Sequence, residues 1–309
     1  MICVLAGGVG AAKLLNGLKD VLPSEEITAV INTGDDAIMH GLYICPDIDT
    51  VTYTLAGVNN VETGWGLQGE TWVAMESLKK LGGETWFNLG DKDLATHLYR
   101  TARLSEGVGL KEITKEIASA MGISVNLLPM TEDRVETMVT LLESGDEISF
   151  QEYFVKHRHE VPISSVRFNG SQQAQATHGV IDAIREAEVV IIAPSNPLVS
   201  IAPIFSISEI SNALKERKED VVAVSPIVAG SALKGPADRL LNELGYEASV
   251  EGVAKYYQDW INTLIIDKAD FDSVENIESL GINCVSTETV MSDPQIAASL
   301  GSTLLGLKR

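Results

Sequence analysis

The sequence predicts an α/β fold, a Rossmann-like, doubly wound and mostly parallel sheet in a single domain over residues 1–309, with residues 95–175 as a mainly helical elaboration. Three observations carry that prediction. The chain opens on an apolar run, Met1 to Leu5, that passes through Gly7, Gly8 and Gly10 into a segment whose Leu14, Leu15 and Leu18 recur at helical spacing. Apolar runs at 27–31, 189–193, 221–224, 263–267 and 282–286 are short enough for strands and alternate with helix-patterned stretches, the signature of βαβ units. A hydrophobic content of 45% with 21% charged residues over 309 positions is ordinary globular composition, sufficient for a large core.

The first strand, turn and helix read as a phosphate cradle. Glycines allow close backbone approach, and the helix N-terminus presents unpaired N–H groups and the positive end of its dipole, so Gly7, Gly8, Gly10 and Lys13 are candidate phosphate-binding residues. The alternative is a glycine turn that packs a helix on a sheet, although three glycines in four positions exceed what a packing turn requires. The third glycine of the dinucleotide fingerprint is missing, and the second strand ends in Asn32 rather than an acidic residue, which disfavours NAD.

The second strand, Ile27 to Ile31, runs into Asn32-Thr33-Gly34-Asp35-Asp36, a carboxyl-end loop of the kind that lines the ligand crevice of a parallel sheet. Pro46-Asp47-Ile48-Asp49-Thr50 then opens a helix. Asp49 or Thr50 there is either a helix cap or, with Asp35, Asp36 and Asp47, part of an oxygen ligand set for a hard divalent cation. Thr71 to Leu81 reads as helical and Thr85 to Leu89 as a third strand, followed by Gly90-Asp91-Lys92-Asp93 and a helix on which His97 and Arg100 share a face. A lone helical histidine is more often structural than catalytic, and His97 is read that way. Residues 105–122 form an amphipathic pattern, and 125–130 a strand-like run. Lys156, His157, Arg158 and His159 make a short basic cluster, either a solvated helix end or a contact for an anionic substrate tail. The later strands end in Pro194-Ser195-Asn196-Pro197 and in Ser225-Pro226-Ile227, loops suited to gripping a nucleotide with hydroxyl and amide groups.

Charge narrows the partners. Lys plus Arg total 23 against 43 for Asp plus Glu, a net charge of -20, which argues against nucleic acid and against anionic membrane surfaces. Three scattered cysteines, Cys3, Cys45 and Cys284, show no paired spacing, so a reducing cytoplasm is the expected compartment. No apolar run reaches the roughly 18 residues that would span a bilayer, and a homodimer is the default assembly.

Several motifs in order, Ala6-Gly7-Gly8-Val9-Gly10-Ala11-Ala12-Lys13, Pro46-Asp47-Ile48-Asp49-Thr50-Val51, Leu89-Gly90-Asp91-Lys92-Asp93-Leu94-Ala95-Thr96-His97, Ala193-Pro194-Ser195-Asn196-Pro197, Ala223-Val224-Ser225-Pro226-Ile227-Val228 and Ser231-Ala232-Leu233-Lys234-Gly235-Pro236, resemble the 2-phospho-L-lactate transferases of deazaflavin coenzyme biosynthesis. The resemblance implies transfer of a phospholactyl or phosphoenolpyruvyl group from a guanosine diphosphate carrier to the ribityl hydroxyl of the deazaflavin Fo, with magnesium, giving coenzyme F(420)-0 or its dehydro form and GMP. It implies Asp49 and Asp91 as catalytic carboxylates, and Asp49, Asn88, Lys92 and Trp65 near the deazaflavin. It further implies Asp35, Asp36 and Asp49 on the metal, and Ser195, Asn196 and Ser225 beside Gly7, Gly8, Gly10 and Lys13 on the nucleotide. Trp65 and Trp86 are expected to line the slot for the flat tricycle. The chain departs from the family at Lys92, where arginine is common, and at Asn88, where a basic residue is common; the first loses a planar fork and the second a charge. The alternative is a nucleotide- or UDP-sugar-binding regulatory protein of the related gluconeogenesis-factor family, without transferase chemistry.

Overall fold

The computed structural model describes residues 1–62, 64–233 and 235–307; Lys234 of the motif at 231–236 lies outside them. The strands are β1 (Ile2–Ala6), β2 (Ile27–Ile31), β3 (Ala37–Met39), β4 (Leu42–Ile44), β5 (Asn126–Pro129), β6 (Glu136–Leu141), β7 (Glu147–Ser149), β8 (Ile163–Asn169), β9 (Val190–Ile192), β10 (Val221–Val224), β11 (Ile227–Val228), β12 (Ser231–Ala232), β13 (Thr263–Asp267) and β14 (Asn283–Thr287). The helices are α1 (Gly8–Lys19), α2 (Pro46–Leu55), α3 (Val73–Lys80), α4 (Asp93–Ser105), α5 (Leu110–Ala120), α6 (Val180–Glu186), α7 (Ala202–Phe205), α8 (Ser208–Glu216), α9 (Ala237–Glu243), α10 (Val250–Tyr257), α11 (Val274–Glu278) and α12 (Pro294–Leu305).

One sheet of 7 strands in the order β14-β13-β10-β9-β1-β2-β5 organises the molecule, and every pairing within it is parallel. Strand order reverses between β1 and β9, the topological switch point at which such sheets bind ligands. Alternation along β1 divides the core. Ile2, Val4 and Ala6 pack with Leu14, Leu15 and Leu18 of α1, Ile48 and Val51 of α2 and Leu300 of α12. Cys3 and Leu5 point the other way, toward Ile184 of α6, Leu214 of α8 and Val253 of α10. Helices therefore cover both faces, as a parallel sheet requires. Among the described residues no single helix is long and apolar enough to cross a membrane.

Residues 95–175 depart from the expected mainly helical insertion. They hold most of α4 and all of α5, but also β5, which completes the edge of the main sheet, and a separate antiparallel sheet in the order β7-β6-β8. The alternation Thr137, Val139, Leu141 against Glu136, Met138, Thr140 is a period-2 pattern, and Val139 is buried while its neighbours are half-exposed. The expected strand at 85–89 is irregular instead, because Phe87 and Leu89 pack locally against Ile44 and Met75. A β3–β4 hairpin turns through His40 and Gly41, both at positive φ, 55° and 79°, the conformation a two-residue hairpin loop needs.

The sheet's second cover helix is seated by small residues. A Cβ on Gly17 would lie inside contact distance of the Ala297 backbone, so α1 and α12 meet nearly backbone to backbone. Gly17→Val is expected to cost about 1–3 kcal/mol or more through overpacking, seen as a lower urea midpoint. An unchanged midpoint would mean the helices can separate freely.

Candidate functional site

The site is built on the loops at the carboxyl ends of β1, β2 and β9. Ser195 Oγ donates to the Gly7 carbonyl oxygen at 2.6 Å, which ties the β9 loop to the glycine loop. A Cβ on Gly10 would collide with the Pro194 carbonyl, and one on Gly7 would press on Ser200 Cβ at 2.7 Å. These two glycines therefore serve close packing across the switch point, the reading opposed to a pure phosphate cradle. Gly8, at φ +70°, is the glycine the turn needs for its backbone.

The mouth of α1 holds a carboxylate of the protein itself. Asp47, 7% exposed in the first turn of α2, accepts hydrogen bonds from the Gly8 N–H and from Asn32 Nδ2, the latter at 2.9 Å. The helix N-terminus that the sequence offers to a phosphate is thus turned on Asp47, by the same N–H and dipole physics. Burial pushes the Asp47 carboxyl up to about 6, against the lowering effect of those two donors.

Asp35 and Asp36 lie beside it. Burial raises both carboxyls well above the usual range, and for Asp35 the charges of Asp47 and Asp36 add to the shift. Asp36 Oδ2 accepts from the Cys45 thiol at 3.1 Å, while Oδ1 of each aspartate is buried with no hydrogen-bond partner. The loop is braced from two sides. The Gly34 N–H donates to Asn32 Oδ1 at 2.8 Å, Thr137 N–H donates to the Gly34 carbonyl at 2.7 Å, and Gln151 Nε2 donates to the Asp35 carbonyl at 3.0 Å. The antiparallel sheet thereby fixes the acidic loop.

Asp49 is placed one step further along α2 and is engaged differently. Both of its oxygens accept from Arg100, Nη2 to Oδ1 and Nη1 to Oδ2 at 3.1 Å, and Arg100 is fully buried. His97 Nδ1 lies 3.7 Å from Asp49 and its Nε2 lies 3.4 Å from Asp93, whose Oδ1 accepts from Tyr53 at 2.6 Å. Asp93, His97 and Arg100 fall at i, i+4 and i+7 on one face of α4, and Asp49 and Tyr53 at i and i+4 on α2. The two helices are joined by polar side chains. Asp49, expected as a metal ligand or base, accordingly sits in an ion-pair network with Arg100.

Other expected site residues have structural partners. Asp91 accepts from the Thr71 hydroxyl and from the backbone N–H groups of Val73 and Ala74, each at 3.0 Å, so it caps α3; those donors hold its carboxyl below the usual range. Glu70 reciprocates by accepting from the N–H groups of Lys92 and Asp93 at the start of α4, at 2.8 and 2.9 Å. Asp91, expected as a catalytic carboxylate, thus caps α3 in this geometry. Lys92 Nζ donates to the Gln68 carbonyl at 2.7 Å and lines a cavity of about 350 Å³ with Val58, Leu67, Gln68 and Met121. Asn88 is exposed. Trp65 packs edge to face on Trp72 and Trp86 edge to face on Phe87. Lys13 donates to the Met291 carbonyl at 3.1 Å, away from the glycine loop. Asn196 Oδ1 accepts from the Leu198 N–H at 3.0 Å, and Ser225, 2% exposed, bonds the backbone of Ile227 in both directions. Ser195, Asn196 and Ser225 therefore shape the loops. In the basic cluster, Lys156 pairs with Glu152 at 2.6 Å and Phe154 packs on His159, with ring centroids 5.0 Å apart.

The charge balance defines what the site can hold. Asp35, Asp36 and Asp47 crowd together with two orphaned oxygens. The nearest guanidinium groups are committed elsewhere, Arg100 to Asp49 and Arg134 to Glu136 at 2.5 Å. Oxygen donors of this kind suit a hard divalent cation, but among the described residues the three ligand atoms that lie within 4.8 Å of one another are those of Asp49, Asp93 and His97 and not those of Asp35, Asp36 and Asp47.

Residues 2–297 match the family profile described as 2-phospho-L-lactate transferase CofD. A phosphoenolpyruvate transferase of Streptomyces griseus is 41% identical over 310 residues, covering 99% of this chain and 98% of that protein. A 2-phospho-L-lactate transferase of Methanococcus maripaludis is 39% identical over 278 residues, covering 89% of each. Among solved structures, a UPF0052 family protein of Bacillus halodurans aligns with a TM-score of 0.67 at 17% identity, covering 98% of both chains, a likeness of fold alone.

Asp47 generates a pH prediction. Its carboxyl is near 6 in the fold and about 3.9 in an unfolded chain, so the folded protein keeps a proton the unfolded chain has released. The stability this contributes is present below about pH 4 and lost as pH rises through about 6. In buffer with divalent ions chelated, Asp47→Asn should gain stability relative to the parent as pH rises from 4 to 7. A pH-independent difference in urea midpoint would place the raised carboxyl elsewhere.

Proposed function

The chain belongs to the 2-phospho-L-lactate transferase CofD family, and from that premise we propose that it transfers a phospholactyl or phosphoenolpyruvyl group from a guanosine diphosphate carrier to the ribityl hydroxyl of the deazaflavin Fo, with magnesium. This is a transferase of coenzyme F(420) biosynthesis. The observation that carries the finer reading is the group of buried, partly orphaned carboxylates at the sheet's switch point, where a diphosphate needs charge neutralised.

In this reaction the ribityl hydroxyl attacks the phosphorus that bears the three-carbon acid, the bond from that phosphorus to the bridging oxygen breaks so that GMP leaves with that oxygen, and the hydroxyl proton is released to solvent. Such transfers depend on positioning and charge neutralisation more than on covalent participation by the protein. From the carboxylates of this crevice, Asp35, Asp36, Asp47 and Asp49, would come the oxygen ligands of magnesium, which when bound would offset charge on the diphosphate oxygens. Asn32 and the Gly8 N–H orient Asp47, and Thr137 and Gln151 hold the loop that carries Asp35. Asp49 keeps α2 in register with α4 through Arg100. The donor lies across the crevice between the β1 and β9 loops. A symmetric dimer in the cytoplasm is the setting this reading takes.

Product analysis tests it. The protein incubated with Fo, magnesium and each guanylated donor in turn should yield GMP and the matching coenzyme F(420)-0 or dehydro form in equal amounts. Chelation should abolish turnover and magnesium should restore it. Nucleotide binding without product from either donor would favour a regulatory binding protein.

A further inference from the structure

Helix α3 is attached to the molecule along a narrow strip and turns apolar residues outward. Met75 is its one buried side chain, packed with Ile44 and Leu89, and Leu78 is half-buried beside it. Val73, Glu76, Ser77, Lys80 and the cap residue Leu81 stand at i, i+3, i+4, i+7 and i+8, a single face on the opposite side. All five are exposed, Val73 by 64% and Leu81 by 85%. Apolar residues at that spacing ordinarily lie on a core. Both ends of α3 are nonetheless fixed: Asp91 caps the N-terminus, and the Gly83 N–H donates to the Leu78 carbonyl at 3.0 Å past the C-terminus. The outward face is presented by a held helix rather than by a swinging segment.

This face is complementary to itself. We infer that a second copy of the chain covers it, α3 packing antiparallel on α3 about a twofold axis at Ser77. Val73 and Leu81 are each four residues from Ser77, so the axis sets Val73 of one copy against Leu81 of the other, twice. Glu76 and Lys80 lie on one side of the face, and the same axis brings Glu76 of one copy to within about 3 Å, measured along the helix, of Lys80 of the other. Two apolar pairs and two ion pairs result. Ser77, small and with its hydroxyl turned back to the Val73 carbonyl at 2.8 Å, lets the helices cross closely without stranding a polar group. Charge selects the same place. A net charge of -20 repels a second copy over most of the surface, whereas this face carries one carboxylate and one ammonium. Among the described residues neither Glu76 nor Lys80 is engaged in an ion pair within the chain.

Sedimentation velocity of the full chain over a concentration series tests this without substrate, so its outcome is separate from the transferase reading. The parent should be a dimer. Val73→Lys with Leu81→Lys should weaken the dimer by about thirtyfold or more, with an unchanged urea midpoint because both side chains are exposed in the single chain. Glu76→Lys alone or Lys80→Glu alone should weaken it by about fivefold, and the two together, which exchange the charges across the axis, should restore it. Cross-linking decides the question even if the paired lysine variant does not fold: with a short bis-maleimide, Ser77→Cys should give a covalent dimer, whereas Lys79→Cys, on the other side of α3, should give no more than the parent with its native Cys284. A parent that sediments as a monomer would overturn both the inference and the dimer taken in the functional reading. A dimer that Val73→Lys with Leu81→Lys leaves unchanged, a charge exchange that fails to restore it, or a Ser77→Cys chain that cross-links no better than Lys79→Cys would overturn the inference and leave the dimer to another face.

Discussion

Crowded negative charge at the carboxyl edge of the sheet is the constraint on which the rest of the structure depends. Asp35, Asp47 and Asp49 are each less than 9% exposed, with Asp36 beside them. A lone buried carboxylate is expensive and tends to neutralise, so each of these requires a compensating group. Asp47 has the α1 N-terminus and Asn32, Asp49 has Arg100, and Asp36 has the weak thiol donor of Cys45. The Asp35 carboxyl is held well above the usual range by burial first and then by the charges of Asp47 and Asp36. The cluster holds its geometry at a cost in stability, as expected where charge is reserved for a ligand.

That constraint explains the surrounding architecture. The antiparallel sheet β7-β6-β8 places Thr137 and Gln151 against the acidic loop, and α4 carries Arg100 to Asp49 while Glu70 and Asp91 lock the starts of α4 and α3 to each other. Segments far apart in sequence converge because each supplies one fixed partner to a loop that repels itself. Breaking Asp49 from Arg100 would leave a buried unpaired charge, a loss of about 3–5 kcal/mol in comparable sites.

Much of the fold was legible in the sequence, since buried parallel strands such as Val221 to Val224 are unbroken apolar runs that local pattern reveals. The small antiparallel sheet was not, because strands such as β7, Glu147–Ser149, are too short to show a period. At the site, the acidic residues were legible as types but not as roles. Nothing local distinguishes Asp49, bound by an arginine 51 positions away, from Asp47, bound by a helix end. The spacing of Asp93, His97 and Arg100 did carry a signal, one polar face on an otherwise amphipathic helix, but its meaning depends on α2 packing opposite.

The glycine loop shows how one physical device serves two ligands. A helix N-terminus stabilises any anion placed on its axis, and a phosphate and a carboxylate satisfy it alike. Sequence pattern identifies the device and not its occupant. Here Asp47 arrives from α2 because Gly7 leaves room for it, its Oδ2 lying 3.0 Å from where a Cβ would stand. In the proposed reaction the diphosphate would then be met indirectly, through the carboxylates gathered at this edge of the sheet, rather than by the helix itself. An all-carboxylate site cannot hold a polyanion without an intervening cation, because like charges at contact repel by about 4 kcal/mol even at an effective dielectric constant near 20. The proposed dependence on a divalent ion would follow from which group α1 points at.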